Sequence, residues 1–312
     1  MNRRLGQLFF ATVLACNGLA AQAANVVLDT GLIRMGVADN AGLGANGVGL
    51  VGPGGDAVTP GCLCEGWGAA AGGLSGSVYG LAGDGLTSAL MTATSTSGAG
   101  LSAQSVVTMS NGLQVSHAYS SAAGGSLFKV MVTLTNSTSG SLSDVRYART
   151  LDWDVTPGYY DGNYTTMYGG TASGPGGKVL TTSTNPFARP DPMETRGQEQ
   201  DTNVTNSPGD KGGYFVFGFG NLAAGESATF DTYIGANTTV NGLLAALGSV
   251  GVEAYSYTTG NAVADGDYAP VYGYGFAGIG LAPALGTVPE PGSLALVALA
   301  GLGLLAASRR RA

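Results

Sequence analysis

The chain has 312 residues, of which 54 are glycine and only 11 % are charged, with a net charge of −7. Glycine at roughly 17 %, against about 7 % in average proteins, favours turns and strands over surface helices. Five of the 13 bases (Arg3, Arg4, Arg309, Arg310, Arg311) and one of the 20 acids (Glu290) lie in the terminal segments; the body between them holds 8 bases against 19 acids, a net −11 that makes nucleic acid and anionic lipid heads poor partners.

Residues 1–23 have the arrangement of a secretory leader. Arg3 and Arg4 precede an apolar run over 8–15, and Ala21-Gln22-Ala23 offers small residues at the two positions a signal peptidase inspects, which predicts cleavage after Ala23. A rival reading makes Val13-Leu14-Ala15-Cys16 a lipoprotein box with Cys16 acylated, although Leu14 is bulky for it.

Residues 24–286 form the body, with no strict repeat and no linker that splits it. Apolar runs broken by glycine-rich turns predict strands over 26–28, 32–37, 88–94, 104–109, 113–119, 128–135, 145–155, 214–219, 228–235, 252–257 and 271–279. Many short strands separated by turn signals point to an all-β fold, an antiparallel β-sandwich. Asn111-Gly112 joins two alternating runs as a tight hairpin turn. One helix is expected over 241–248, with Asn241 as N-cap, Gly248 as stop, and Leu243, Leu244 and Leu247 on one face, plugging an open end of the sandwich. Residues 185–213 read as a long polar surface loop.

Several groups in the body invite a chemical reading. Gly42-Leu43-Gly44-Ala45-Asn46-Gly47 has the glycine spacing of a dinucleotide turn, but Val48-Gly49-Leu50 follows where a helix N-terminus is required, so the match is attributed to chance. Over 144–155, alternation puts Asp144, Arg146, Asp152 and Asp154 on a polar face and Val145, Tyr147, Leu151, Trp153 and Val155 on a core face that Arg149 interrupts. Carboxylates at i and i+2, about 7 Å apart, require a cation nearby, either Arg146 or a metal. Asp161 and Asn163 would add oxygens for Ca²⁺, which takes about six to eight; a solvated or arginine-paired face is the alternative.

A glycosidase needs two carboxyl groups about 5 to 9 Å apart, and nothing in the sequence fixes such a pair in a cleft. His117, the sole histidine, lies on a hairpin strand without the signature of a nucleophile and is read as an exposed strand residue. The body is therefore expected to be non-catalytic. Cys62 and Cys64, its only cysteines, are too few for a zinc site; they would close a small ring, pair with another molecule or stay free. Tyr164, Tyr168, Tyr255, Tyr257, Tyr268, Tyr272 and Tyr274 would either stack on sugar rings or line the core.

Residues 287–312 carry Pro289-Glu290-Pro291, an uncharged helix over 293–308, and Arg309, Arg310 and Arg311. The apolar segment spans about 22 Å at ~1.5 Å per residue, short of the ~30 Å hydrocarbon core, with snorkelling arginines to cover the deficit. The arginine cluster belongs on the cytoplasmic side, which places the body in the periplasm.

These three parts, in this order, resemble the PEP-CTERM sorting signal of diderm bacteria, a tail also labelled an ice-binding protein C-terminal domain. The resemblance implies recognition by an exosortase, a membrane cysteine protease, after an inner-membrane-anchored stage, with delivery to the envelope or extracellular matrix. Such proteins typically accompany exopolysaccharide or biofilm production. Residues 132–136, 142–155, 217–230, 243–257 and 275–278 are similar to uncharacterised PEP-CTERM proteins, with Cys62-Leu63-Cys64 as a departure. The partners implied are signal peptidase, exosortase and a secreted polysaccharide, with no resident cofactor unless Ca²⁺ binds.

Overall fold

The computed structural model describes residues 21–23, 25–170, 177–261 and 270–285. The leader's apolar run, Pro289-Glu290-Pro291, the expected helix over 293–308 and Arg309 to Arg311 lie outside these residues. Among those described, no helix is long and apolar enough to cross a membrane.

Three antiparallel sheets build the body, with one α-helix among the described residues. The largest has ten strands in the spatial order Ala21–Ala23, Leu86–Ser95, Ser102–Met109, Leu113–Ala122, Leu127–Asn136, Ser227–Asn237, Val271–Ala277, Ala254–Thr259, Tyr164–Tyr168 and Val204–Pro208. Facing it is a six-stranded sheet ordered Val179–Ser183, Gly213–Leu222, Leu142–Leu151, Glu65–Ala71, Leu74–Tyr79 and Ala82–Asp84. Rings from the two layers meet between them: Phe217 lies 4.6 Å from Phe276, Tyr147 lies 5.1 Å from Phe230 and Trp67 lies 4.7 Å from His117. Period-two alternation makes this interface, because Val145, Tyr147 and Leu151 point inward along one strand as Leu113, Val115 and Tyr119 do along another.

A four-stranded sheet (Asn25–Asp29, Arg34–Ala38, Leu50–Gly52, Gly55–Asp56) is stitched to both layers. Trp67 Nε1 donates to Asn40 O at 2.8 Å, Ser105 Oγ to Asp39 O at 2.5 Å and Tyr272 Oη to Gly55 O at 2.7 Å. The Asn111-Gly112 turn is a hairpin as expected. Gly112, at φ 83°, takes the left-handed position, and its N–H returns to Met109 O at 3.0 Å.

Four expectations are corrected. The helix runs Val240–Ser249 and is capped by Thr239, whose hydroxyl accepts from Gly242 N, two residues before the expected Asn241. It does not plug an end: Leu243 and Leu247 join Leu127, Tyr233 and Val271 over the outer face of the ten-stranded sheet. Gly273 permits that approach, since a Cβ there would lie 3.0 Å from the Leu243 side chain.

Residues 185–213 are not merely a surface loop, for they include the strand Val204–Pro208 and cover the outer face of the six-stranded sheet. Arg196 lies 3.8 Å above the Tyr214 ring and is capped by backbone carbonyls of Asn185, Ala188 and Arg189. The lid lies so close that any Cβ at Gly68 would collide with Pro190 O.

His117 is buried, 1 % exposed, rather than an exposed strand residue. Alternation along Leu113–Ala122 puts it on the inward face, where its Nε2 lies 3.1 Å from Tyr147 Oη. Burial, and then the Arg149 charge, push its pKa down to about 3, so the ring is neutral. Asp152 and Asp154 are likewise buried, at 6 % and 3 %, instead of facing solvent.

Arg149 makes an ion pair with Glu65 inside the core, and Glu65 Oε2 accepts the Leu43 N–H at 2.7 Å. Burial works against the guanidinium charge, and the Glu65 carboxylate overcomes it, holding Arg149 above its ordinary pKa. A cavity of about 10 Å³, lined by Leu43, His117, Tyr119, Tyr147, Arg149 and Thr232, adjoins the pair. Removing one charge strands the other in a dry core. Arg149→Met is therefore expected to cost about 3–5 kcal/mol in urea unfolding. Adding Glu65→Gln, which keeps an acceptor for Leu43 N, should recover most of that loss.

Candidate functional site

The segment after the Leu142–Leu151 strand continues its alternation without a partner strand of its own. Asp152 N donates to Cys64 O at 3.1 Å and Asp154 N to Ala57 O at 2.9 Å, which lays residues 152–154 along the 57–64 loop. Both side chains point away from Trp153 and Val155, yet that loop and the chain near residue 210 cover them. Carboxylate oxygens of Asp152, Asp154 and Asp210 lie within 4.8 Å of one another. Asp210 is held in place from behind, because Gly209 N donates to Asn163 O at 3.0 Å.

Of the four residues expected to bind Ca²⁺, the structure brings Asp152 and Asp154 together. Asp161 is exposed on the Tyr160–Gly162 turn and acts through its charge on Asp210. Asn163 is buried and donates from Nδ2 to Trp153 O, while its Oδ1 has no protein partner. Asp210 escaped sequence reasoning because it lies far along the chain in a segment with no local pattern. Arg146 does not serve the cluster; it grips Asp144 through two contacts of 2.9 and 2.8 Å.

Electrostatically the trio is unbalanced. Burial, then the charges of Asp154 and Asp210, push Asp152 up to about 8. Burial raises Asp154 to about 6, with the Tyr160 N–H opposing and Asp210 adding to the rise. Burial and Asp161 raise Asp210 as well. The repulsion among three convergent carboxylates without a cation from the chain can be relieved in two ways, by a proton held on Asp152 or by a bound cation of the oxygen-seeking kind.

Cys62 and Cys64 form a disulfide beside the cluster, with Cys62 Sγ at 3.9 Å from Asp152 Oδ2. The closed bridge offers no thiolate, so these sulfurs are not metal ligands here. The Gly42 to Gly47 segment runs into a short 3₁₀ turn, Ala45–Gly47, and its Leu43 N–H serves Glu65.

The tyrosines divide by face. Tyr272 and Tyr274 are buried against Trp153, at 6.1 and 6.3 Å between rings. Tyr168, Tyr255 and Tyr257 form a ladder on the outer face of the ten-stranded sheet, with near-parallel rings 5.6 and 6.2 Å apart. It runs from the exposed Tyr168 to Tyr257 beside the helix. Tyr164 lies on the same face, and Tyr268 falls outside the described residues.

Residues 287–311 match the family model of the PEP-CTERM protein-sorting motif. No curated protein matches the chain. Among solved structures, the chain is similar to a galactose mutarotase related enzyme from Lactobacillus acidophilus, at 8 % identity and a TM-score of 0.30, over 82 % of this chain and 86 % of that one. A likeness of that degree assigns neither an activity nor a site.

The acid cluster sets a pH dependence with a definite sign. An acid whose folded pKa is raised binds more protons folded than unfolded, so its stabilisation is complete below about 4 and is lost as pH rises towards 8. His117 has the opposite sign, but its effect ends near pH 6.5, its unfolded value. Between pH 6.5 and 8, stability is expected to fall by on the order of 1 kcal/mol. Asp152→Asn should flatten that slope in thermal unfolding measured across this window. A slope in the wild type that Ca²⁺ abolishes would identify a cation as the second means of neutralisation.

Proposed function

We propose that this chain is an exported envelope protein, cut from its membrane-held precursor by an exosortase, whose non-catalytic β body works alongside secreted polysaccharide. The observation that carries the reading is the sorting motif at residues 287–311. A disulfide between the body's only two cysteines accords with an oxidising compartment outside the cytoplasm. The surplus of acids accords with a neutral glycan rather than an anionic polymer.

A second reading makes the body a carbohydrate-binding module, favoured by the Tyr168–Tyr255–Tyr257 ladder. The exposed Tyr168 and the half-buried Tyr255 hold near-parallel rings on neighbouring strands, an apolar surface on which the flat face of a pyranose ring would stack, while Tyr257 is buried behind them beside the helix. The module would bind without turnover; release of sugar by the purified protein would replace it with an enzyme.

Intact mass and cell fractionation, in strains with and without the exosortase, test the export reading. The tail is expected to be lost only where the protease is present. Replacing Pro289, Glu290 and Pro291 by alanine should hold the full-length chain in the membrane fraction. An identical C-terminus in both strains would sink the proposal.

A further inference from the structure

Strand edges are templates for other strands, and proteins blunt them with charge, proline, shortness or cover. Most edges of the two large sheets are treated so. Val204–Pro208 ends in Pro208 and bends at Asn206, whose φ is 52°. Ala82–Asp84 has three residues and carries an acid. Val179–Ser183 is covered by Asp201, whose N–H donates to Thr182 O at 3.0 Å while its Oδ1 accepts from Thr182 N at 2.8 Å.

The Leu86–Ser95 edge is different. Its sequence, Leu-Thr-Ser-Ala-Leu-Met-Thr-Ala-Thr-Ser, has ten residues with no charge and no proline, and Leu90 is 40 % exposed. Its cover is three residues of the same chain, paired antiparallel as Ala21 with Ala93, Gln22 with Thr92 and Ala23 with Met91. Those three residues are the ones that cleavage after Ala23 would remove. The edge accepts a strand in the uncut chain and would lose it on processing. The following residues do not replace it, because Asn25–Asp29 pairs with Arg34–Ala38 in the small sheet and reaches only the stretch beyond the strand, where Asp29 N bonds Thr96 O.

We propose that loss of the leader opens the Leu86–Ser95 edge, and that this edge pairs antiparallel with the same edge of a second copy, joining two ten-stranded sheets into one. The inference rests on the proposed export and on cleavage at Ala23. A second copy is the occupant that fits, because two-fold pairing brings identical rows of N–H and C=O groups into register. An uncharged strand meets its twin without like-charge repulsion, which matters for a body with a net charge of −11.

The test uses protein exported by its own host and purified from the envelope. Intact mass reads both ends, light scattering at tens of micromolar reads the oligomer, and hydrogen exchange reads the amides of residues 86–95. The expected result is a chain beginning at Ala24, dimeric, with protected edge amides. A Leu90→Lys/Thr92→Lys variant, with an unchanged circular dichroism spectrum, should dissociate at least tenfold more readily and expose those amides. A monomer beginning at Ala24, or a dimer indifferent to the lysines, overturns the inference. A chain that keeps Ala21 to Ala23 overturns it by removing its premise, and the separately measured C-terminus shows whether exosortase processing stands.

Discussion

The Glu65–Arg149 ion pair is the constraint on which the packing of the three sheets converges. Glu65 opens one central strand of the six-stranded sheet and Arg149 lies near the end of its neighbour, two residues from the position opposite Glu65. The second carboxylate oxygen is committed to Leu43 N, in the loop that follows the small sheet's second strand. Arg149 faces the inter-sheet cavity, whose far wall is Tyr119, His117 and Thr232 of the ten-stranded sheet. A one-residue slip of either strand would turn one charge to the wrong face of its sheet and leave the other alone in the core. A slipped register would not carry that penalty with an apolar pair in the same place, so the charges discriminate between registers where apolar side chains would not.

Aromatic packing fills what the pair leaves open. Trp67 stands beside Glu65 on the same inward face and contacts His117, while Tyr147 bridges His117 and Phe230. The neutral histidine follows from its burial first, and then from Arg149, next to which a proton on the ring would add a second cation. The core is polar at its centre and aromatic around it, and its depth excludes solvent from His117.

Much of this was legible in the pattern of residues. The inward set Val145, Tyr147, Leu151 and Trp153 follows from alternation, the 111–112 hairpin from its turn residues between alternating runs, and the helix Val240–Ser249 from the spacing of its leucines. The burial of His117 was legible too, since Leu113, Val115 and Tyr119 share its phase along the strand. Glu65–Ala71 was not, because Glu-Gly-Trp-Gly-Ala-Ala-Ala is buried on both faces and so shows no alternation. Nor was the cover over Asp152 and Asp154. Period two assigns faces, but it does not say which faces a distant loop will close.

Composition, rather than any motif, explains why the acid cluster has no cation of its own. The body's eight bases are Arg34, Lys129, Arg146, Arg149, Lys178, Arg189, Arg196 and Lys211. Four of them are engaged with Asp231, Asp144, Glu65 and Glu199 respectively for Lys129, Arg146, Arg149 and Lys211. Arg196 is spent on carbonyls and the Tyr214 ring that hold down the lid, and Lys178 and Arg189 each cap a backbone carbonyl. None of the eight lowers the pKa of Asp152, Asp154 or Asp210. With 19 acids to 8 bases some carboxylates must go unpaired, and on an exposed surface water would solvate them at little cost. Here the fold buries Asp152 and Asp154 and sets the half-buried Asp210 against them, so what offsets their mutual repulsion has to come from outside the chain, a proton on Asp152 or a soluble cation.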